Sequence, residues 1–228
     1  MYKILLGLLL SSFLCGLASA DNKVVTPLCK SATDKTKLNE KSYVLINGIK
    51  QWVTIKGDSC ANPVVLFVHG GPGNSMSIFA DDLYKDWEHE FTIVQWDQRS
   101  AGKTFEANQK SSEITPEDLA KNELSVPLIA ADGIEVADHL RKALQKDKII
   151  ITGASWGSAV GIKMISKRPD LFYFYVGLSQ LVNYNTNVLT SYQLALRIAQ
   201  QHNDQNALAV LQSIGAPPWK DPEGFGKL

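Results

Sequence analysis

The sequence has few of the residues that mark metal sites or cross-linked scaffolds. Its 228 residues include 3 cysteines and 4 histidines, and no Cys/His cluster has metal-ligand spacing. Lysine plus arginine equals aspartate plus glutamate at 23 each, so charge gives no reason to expect nucleic acid or an anionic membrane as a partner. The 45% hydrophobic content is sufficient for a buried core, which excludes a disordered chain.

Long hydrophobic runs are also missing, apart from one at the N-terminus that has the layout of an export signal. Lys3 precedes an apolar stretch over residues 4–17, and Ala18-Ser19-Ala20 forms a small-x-small cleavage site. The stretch is shorter than the about 20 residues that span a bilayer. We expect residues 1–20 to be a cleaved signal peptide and the mature protein to be extracytoplasmic, secreted or periplasmic, without stable membrane insertion. An uncleaved membrane anchor is the alternative.

Two cysteines, Cys29 and Cys60, remain after this segment. In an oxidising compartment a pair of thiols tends to be joined. A bridge would close a loop of about 30 residues and contribute about 3–4 kcal/mol by the chain-entropy estimate. We expect this disulfide, with two unlinked thiols as the alternative.

Strand and helix patterns alternate along the chain as they do in an α/β protein. Asn47-Gly48 is a strong hairpin turn signal between two short strands. Apolar strands then alternate with helices, which predicts a mostly parallel sheet with right-handed crossovers. The predicted strands are 43–46, 51–55, 63–68, 91–96, 148–152 and 171–178, and the predicted helices include 78–89, a helix through 134–144, and 156–167.

These patterns divide the chain into four segments. The signal peptide is followed by an extended lead-in over residues 21–42 and by the α/β core over residues 43–182. Residues 183–228 contain two further helical patterns, and we interpret them as the start of a helical lid. Within the core, residues 100–125 are expected to be irregular.

A possible nucleophile lies in Gly153-Ala154-Ser155-Trp156-Gly157, which fits the pattern G-x-S-x-G. It follows an apolar strand and opens a helix, which is the context that a nucleophile elbow requires. In such a turn the residues two before and two after the serine approach closely, so only glycine fits. The free N–H groups of the helix can stabilise developing negative charge. The pattern predicts that Ser155 is a nucleophile, and an ordinary serine in a glycine-flanked turn is the alternative.

A second glycine-rich turn, His69-Gly70-Gly71-Pro72-Gly73, follows another buried strand. It can point a backbone N–H into the cleft, where this group and the N–H of Trp156 would form an oxyanion hole. His69 is expected to fix the loop by hydrogen bonds rather than act as a base. The other histidines, His89, His139 and His202, lie in helical patterns and are expected on the surface.

Three motifs in this order resemble the proline iminopeptidase group of the α/β-hydrolase superfamily. They are HGGPG, Trp96-Asp97-Gln98-Arg99 with Gly102, and GASWGS from Gly153 to Ser158. The similarity runs from about Tyr43 to Gln180. It implies an α/β-hydrolase fold and a serine hydrolase that acts on a small peptide, amide or ester.

The same resemblance assigns roles to individual residues. Ser155 matches the family's nucleophile, and Gly71 and Trp156 match the donors of the oxyanion hole. The loop Asp97-Gln98-Arg99 would shape the floor of the site, with a purely structural role as the alternative. No metal or organic cofactor is implied.

The sequence departs from the family in two places. Ser100 replaces the glycine that usually follows Gln-Arg. Members that cleave N-terminal proline hold the substrate's amino group with acidic residues of the lid, whereas residues 183–201 contain no Asp or Glu. Prolyl specificity therefore stays open.

The acid and base of a catalytic triad are not evident in this sequence. In this fold they follow the serine in the order Asp or Glu, then His. After Ser155 the only histidine is His202, and Asp204 comes after it. The apolar strand 171–178 also reads as if it were paired on both sides, and as an edge it would be exposed. We therefore expect a C-terminally incomplete hydrolase that is inactive as it stands. An exported carboxylesterase or amidase and a catalytically dead binding protein are the alternatives.

Overall fold

The computed structural model describes residues 25–109 and 124–219. The signal peptide expected at residues 1–20 lies outside the described residues. In the described part, no helix has both the length and the apolar character needed to cross a bilayer. The same residues contain no group of His, Cys, Asp and Glu side chains that could hold a metal ion.

Within residues 25–109 and 124–219, six strands form one sheet: β1 (Leu38–Ile46), β2 (Ile49–Gly57), β3 (Val64–Val68), β4 (Thr92–Trp96), β5 (Ile149–Ala154) and β6 (Phe172–Leu178). Their order across the sheet is β1-β2-β4-β3-β5-β6. β1 and β2 form an antiparallel hairpin, and β2 is antiparallel to β4. The remaining pairs are parallel. The predicted mostly parallel sheet with an antiparallel N-terminal hairpin is therefore confirmed.

In the described residues, the α-helices that accompany the sheet are α1 (Gly102–Asn108), α2 (Val126–Ala143), α3 (Trp156–Lys167), α4 (Tyr184–Gln201) and α5 (Gln205–Ile214). Polar side chains cap three of them. Ser125, Asn183 and Asp204 accept hydrogen bonds from backbone N–H groups in the first turns of α2, α4 and α5, which satisfies donors that a helix start leaves unpaired. α5 ends at Ile214, and the next residue, Gly215, has a φ of 68°, which suits glycine.

The hydrophobic core lies between one face of the sheet and the helices α2 and α3. Its fully buried members come from both layers and include Leu66, Val94, Ile151, Leu140 and Val160. Burying a side chain of this size contributes about 1.5–3 kcal/mol. The helices α4 and α5 have a small separate cluster around Tyr192 and Leu211. This arrangement fixes β5 and α3, and with them the turn between these two elements.

A disulfide joins Cys29 to Cys60 with 5.9 Å between their Cα atoms. It ties the segment before β1 to the loop that leads into β3. The backbone N–H groups of Leu28 and Cys29 both donate to the carbonyl of Ala143, at 2.8 and 3.2 Å. The N-terminal segment is thus held against the end of α2.

Three local predictions were wrong. β1 begins at Leu38 and not at Tyr43. Its first half has no apolar pattern that would predict a strand, because the side chains there are mostly polar and exposed. The segment predicted as one helix over 78–89 forms two short 3-10 helices, Ser77–Phe79 and Lys85–His89. The segment predicted to be irregular contains α1, which is held by side-chain hydrogen bonds to distant residues.

The strand β6 is an edge of the described sheet. The exposed fractions of Tyr173, Phe174 and Leu178 are 64%, 55% and 53%. Because β6 is an edge strand and these large apolar side chains are exposed, the prediction of an exposed hydrophobic edge is confirmed.

Candidate active site

Ser155 occupies the sharp turn between β5 and α3. Its backbone dihedrals are φ 52° and ψ −119°, a region that a residue with a side chain seldom adopts. Strain of this kind costs about 1–3 kcal/mol and persists only where the surroundings impose it. The side chain of Ser155 is exposed. The turn therefore presents the hydroxyl at the surface of the sheet, as the elbow pattern predicts.

The two glycines that flank Ser155 allow the turn to close. A Cβ atom on Gly153 would clash with the carbonyl oxygen of Gly157. A Cβ atom on Gly157 would clash in turn with the carbonyl oxygen of Val68 at the end of β3. Backbone atoms cannot move aside as a flexible side chain can, so both positions require glycine.

Hydrogen bonds hold the turn against the loop that follows β6. The N–H of Ser155 donates to the carbonyl of Leu178 at 3.0 Å. The hydroxyl of Ser158 donates to the carbonyl of Ser155 at 2.5 Å and accepts from the N–H of Leu181 at 2.8 Å. Sequence reasoning gave Ser158 no role. Its place after the last glycine of GASWGS was the only signal for it.

A cavity of about 1090 Å³ opens beside Ser155. Gly71 and Trp156, the predicted donors of the oxyanion hole, line it together with Ser155. The opposite wall comes from the loop after β6 and the first turns of α4, and it includes Leu181, Val182, Tyr184, Asn187, Val188 and Thr190. The structure therefore brings the three predicted site residues to one cleft.

The backbone N–H groups of Gly71 and Trp156 donate no hydrogen bond to any residue that the structure describes. Trp156 is the first residue of α3, where the N–H has no partner within the helix. Gly71 has a φ of 114°, which a residue with a Cβ rarely adopts. Two backbone donors are thus available where the cavity meets Ser155.

His69 is buried and its polar atoms are all engaged. Its Nε2 atom accepts from the N–H of Gln98 at 3.1 Å, so Nδ1 carries the proton that it donates to the carbonyl of Gly70 at 2.9 Å. Burial lowers the pKa of His69 below 6.5. A neutral imidazole held on both sides is a structural element, which confirms that His69 fixes the loop.

The loop after β4 is also a structural brace. The carboxylate of Asp97 is fully buried and accepts hydrogen bonds from the hydroxyl of Ser75 and the N–H of Lys103. Arg99 donates from Nε and Nη2 to the buried carboxylate of Asp132 at 2.8 and 3.0 Å. None of these groups lines the cavity among the described residues.

The remaining histidines also lie away from Ser155. His89 and His202 are exposed, as expected. His139 is half-buried on α2, so the prediction of a surface position was wrong, and burial lowers its pKa. No histidine in residues 25–109 or 124–219 lines the cavity.

Comparison with known proteins agrees with this geometry. Residues 63–208 match the alpha/beta hydrolase fold family. "Probable aminopeptidase YbaC" of Bacillus subtilis (strain 168) is 33% identical over 175 residues, which cover 77% of this chain and 52% of that protein. "Putative proline iminopeptidase" of Mycoplasma genitalium is 30% identical over 138 residues, which cover 60% of this chain and 39% of that protein. The chain thus spans about half, or less, of the length of these curated relatives.

A solved structure supports the fold alone. The proline iminopeptidase-related protein from Thermus thermophilus superposes with a TM-score of 0.51 at 20% identity, over 75% of this chain and 59% of that chain. Together with the family match and the geometry of the turn at Ser155, these similarities identify the chain as a member of the alpha/beta hydrolase fold family that resembles the proline iminopeptidase group.

Proposed function

We propose that the protein is an exported serine hydrolase of the proline iminopeptidase-like group and that Ser155 is its nucleophile. The observation that carries the proposal is the strained, exposed position of Ser155 at a cavity that Gly71 and Trp156 also line. A strained non-glycine residue at the mouth of a pocket is a frequent mark of a catalytic group.

In the proposed reaction the Ser155 oxygen attacks the carbonyl carbon of a small peptide, amide or ester. The hydroxyl proton passes to a base, and the carbonyl oxygen becomes an oxyanion that accepts hydrogen bonds from the N–H groups of Gly71 and Trp156. Loss of one such donor typically raises the barrier by about 2.7–4 kcal/mol. The amine or alcohol then leaves with a proton, and water hydrolyses the acyl-enzyme to release the acid.

The reaction needs a proton acceptor, because a serine hydroxyl is a weak nucleophile at its ordinary pKa. The described histidines do not line the cavity, and His69 has both ring nitrogens engaged. We therefore assign the role of base to none of the described histidines. The proposed chemistry uses no metal or organic cofactor.

The names of the relatives and the side chains of the cavity wall favour different substrate classes. The relatives carry the names "Probable aminopeptidase YbaC" and "Putative proline iminopeptidase", which favours a peptide substrate. The wall formed after β6 and by α4 instead carries apolar and neutral polar side chains, such as Val182, Val188, Asn187 and Thr190. Such a surface suits a neutral group better than an ammonium group. A carboxylesterase or amidase is therefore a second candidate.

Export is part of the proposal. The disulfide between Cys29 and Cys60 supports it, because such bridges persist mainly in oxidising compartments. The N-terminal segment read as a signal peptide agrees with this compartment.

The substrate class is tested with the 228-residue chain and its Ser155→Ala variant. Prolyl and alanyl naphthylamides are compared with short p-nitrophenyl esters, with imidazole added as an external base. We expect hydrolysis that depends on Ser155 for at least one class, and the preferred class separates aminopeptidase from esterase. Equal rates for both proteins with every substrate would contradict the proposed function.

A further inference from the structure

The glycine loop that carries Gly71 is fastened at its beginning by Gln98. The side-chain amide of Gln98 donates to the carbonyl of His69 at 2.8 Å, and its backbone N–H donates to the His69 ring at 3.1 Å. Both residues are buried. Two hydrogen bonds between buried groups fix the backbone at residue 69 in position and in orientation.

The end of the same loop is fastened by Asp97. The hydroxyl of Ser75 donates to one carboxylate oxygen of Asp97, and the N–H of Lys103 donates to the other at 3.0 Å. The carbonyl of Asp97 accepts from the hydroxyl of Thr104 at 2.6 Å, so Asp97 is itself immobilised by α1. A hydrogen bond to a carboxylate is stronger than one between neutral groups.

Between these two ends the loop is short and packed against the nucleophile. The N–H of Asn74 donates to the carbonyl of Gly70 at 3.2 Å, which closes the turn around Gly71. A Cβ atom on Gly70 would lie 3.4 Å from the Cβ atom of Ser155. A movement of either end of the loop would therefore displace the N–H of Gly71 relative to Ser155.

We propose that Asp97 and Gln98 are positioning residues, which clamp the loop 69–75 at both ends and hold the N–H of Gly71 where the oxyanion forms. This inference rests on the proposed function, and it gives the loop after β4 a role in the reaction although that loop does not line the cavity. Donors act at full strength only when they are held within about 0.5 Å of the productive geometry.

The test uses Ser75→Ala, which removes one end of the clamp and leaves Asp97 in place. Ser75→Thr keeps the hydroxyl, and Ser59→Ala removes a half-buried hydroxyl outside the loop as a matched control. The first measurement is hydrogen–deuterium exchange of peptides that cover residues 69–75. The second is saturation kinetics of Ser155 with a fluorophosphonate in the presence of imidazole, which separates the maximal rate from the half-saturating concentration.

For Ser75→Ala we expect exchange in residues 69–75 to rise about tenfold. The maximal labelling rate should fall about tenfold, with an unchanged half-saturating concentration, because only the transition state uses the displaced donor. Ser75→Thr should restore both values, and Ser59→Ala should leave both unchanged. If Ser75 had only a structural role, its replacement would not lower the maximal labelling rate while the half-saturating concentration stays unchanged.

Exchange and labelling of Ser75→Ala within twofold of wild type would overturn the clamp. If Ser75→Ala does not fold, Gln98→Leu tests the other end with the same readouts. If wild-type Ser155 takes up no label, the exchange data still decide whether the clamp exists, and the missing label counts against the proposed serine hydrolase alone.

Discussion

The hydroxyl of Ser158 accepts a hydrogen bond from the backbone N–H of Leu181 at 2.8 Å. Because the same hydroxyl donates to the carbonyl of Ser155, this contact links the nucleophile turn to the loop that forms the far wall of the cavity. The two sides of the cleft are thus held at a fixed separation by one fully buried side chain.

Ser158→Ala should lower the free energy of unfolding by about 1–3 kcal/mol, because it leaves the N–H of the half-buried Leu181 without its partner. Urea titration followed by tryptophan fluorescence measures this change. Ser166→Ala is the control, since Ser166 is exposed and its hydroxyl bonds, among the described residues, only to the carbonyl of Lys163. We expect its effect to stay within about 0.5 kcal/mol. Equal stability of wild type and Ser158→Ala would contradict the linking role.

Ser155→Gly should raise the free energy of unfolding by about 1 kcal/mol while it removes the nucleophile. Glycine relieves the strain of about 1–3 kcal/mol at φ 52°, and the larger entropy of its unfolded state offsets part of that gain. Ser155→Ala keeps the strain and serves as the control. If the glycine variant proves less stable than the alanine variant, Ser155 is not strained in the folded protein.

Removal of the disulfide should lower the free energy of unfolding by about 3–4 kcal/mol, since the bridge spans 31 residues of sequence. The double variant Cys29→Ser, Cys60→Ser is compared with wild type in thermal and urea unfolding. Adding a reductant should bring wild type to the stability of the double variant and leave the variant itself unchanged. A reductant that has no effect on wild type would show that the bridge does not form.

Stability should also fall as the pH drops below 6.5, because burial lowers the pKa of His69 and of His139 from that value. In this range the unfolded chain takes up protons that the folded chain does not bind. The loss of stability therefore begins near pH 6.5 and is complete once the pH is below the lowered pKa values of the two histidines in the folded protein. The carboxylate of Asp81 forms salt bridges that lower its pKa to about 2, so its contribution to stability is lost only as the pH falls from about 3.8 towards 2.

His139→Gln should make the loss of stability between pH 7 and pH 5 shallower, because one of the two imidazoles whose pKa is lowered is then absent. Urea midpoints at half-unit pH steps measure the slope for both proteins. If the stability of the wild type rises as the pH is lowered through this range, the pKa values of His69 and His139 are not lowered in the folded protein.

The sheet and the nucleophile turn could be predicted because their signals are local. Apolar strands alternate with helices, and G-x-S-x-G places two glycines where backbone atoms meet. α1 was missed since its Thr104 is held by Asp97 and accepts from the N–H of Trp52, contacts that only the folded chain brings together. The contact between Ser75 and Asp97 was beyond prediction for the same reason.

Burial of single side chains was equally hard to foresee. His139 lies at a helical spacing that suits either the surface or the margin of the core. The packing of α2 against the sheet and α3 decides that it is half-buried. Propensity and periodicity indicate a helix and its apolar face, but they do not fix which residues at the border of that face are covered.

The most direct test of the account is the reaction of the 228-residue chain with a small fluorophosphonate in the presence and absence of imidazole. The Ser155 oxygen would bond to phosphorus, fluoride would leave, and imidazole would take the hydroxyl proton. Peptide mass spectrometry then locates the adduct. We predict a label on Ser155 that imidazole accelerates and that Ser155→Ala abolishes. An adduct confined to other residues, or none on Ser155 even with imidazole, would contradict the assignment of Ser155 as the nucleophile.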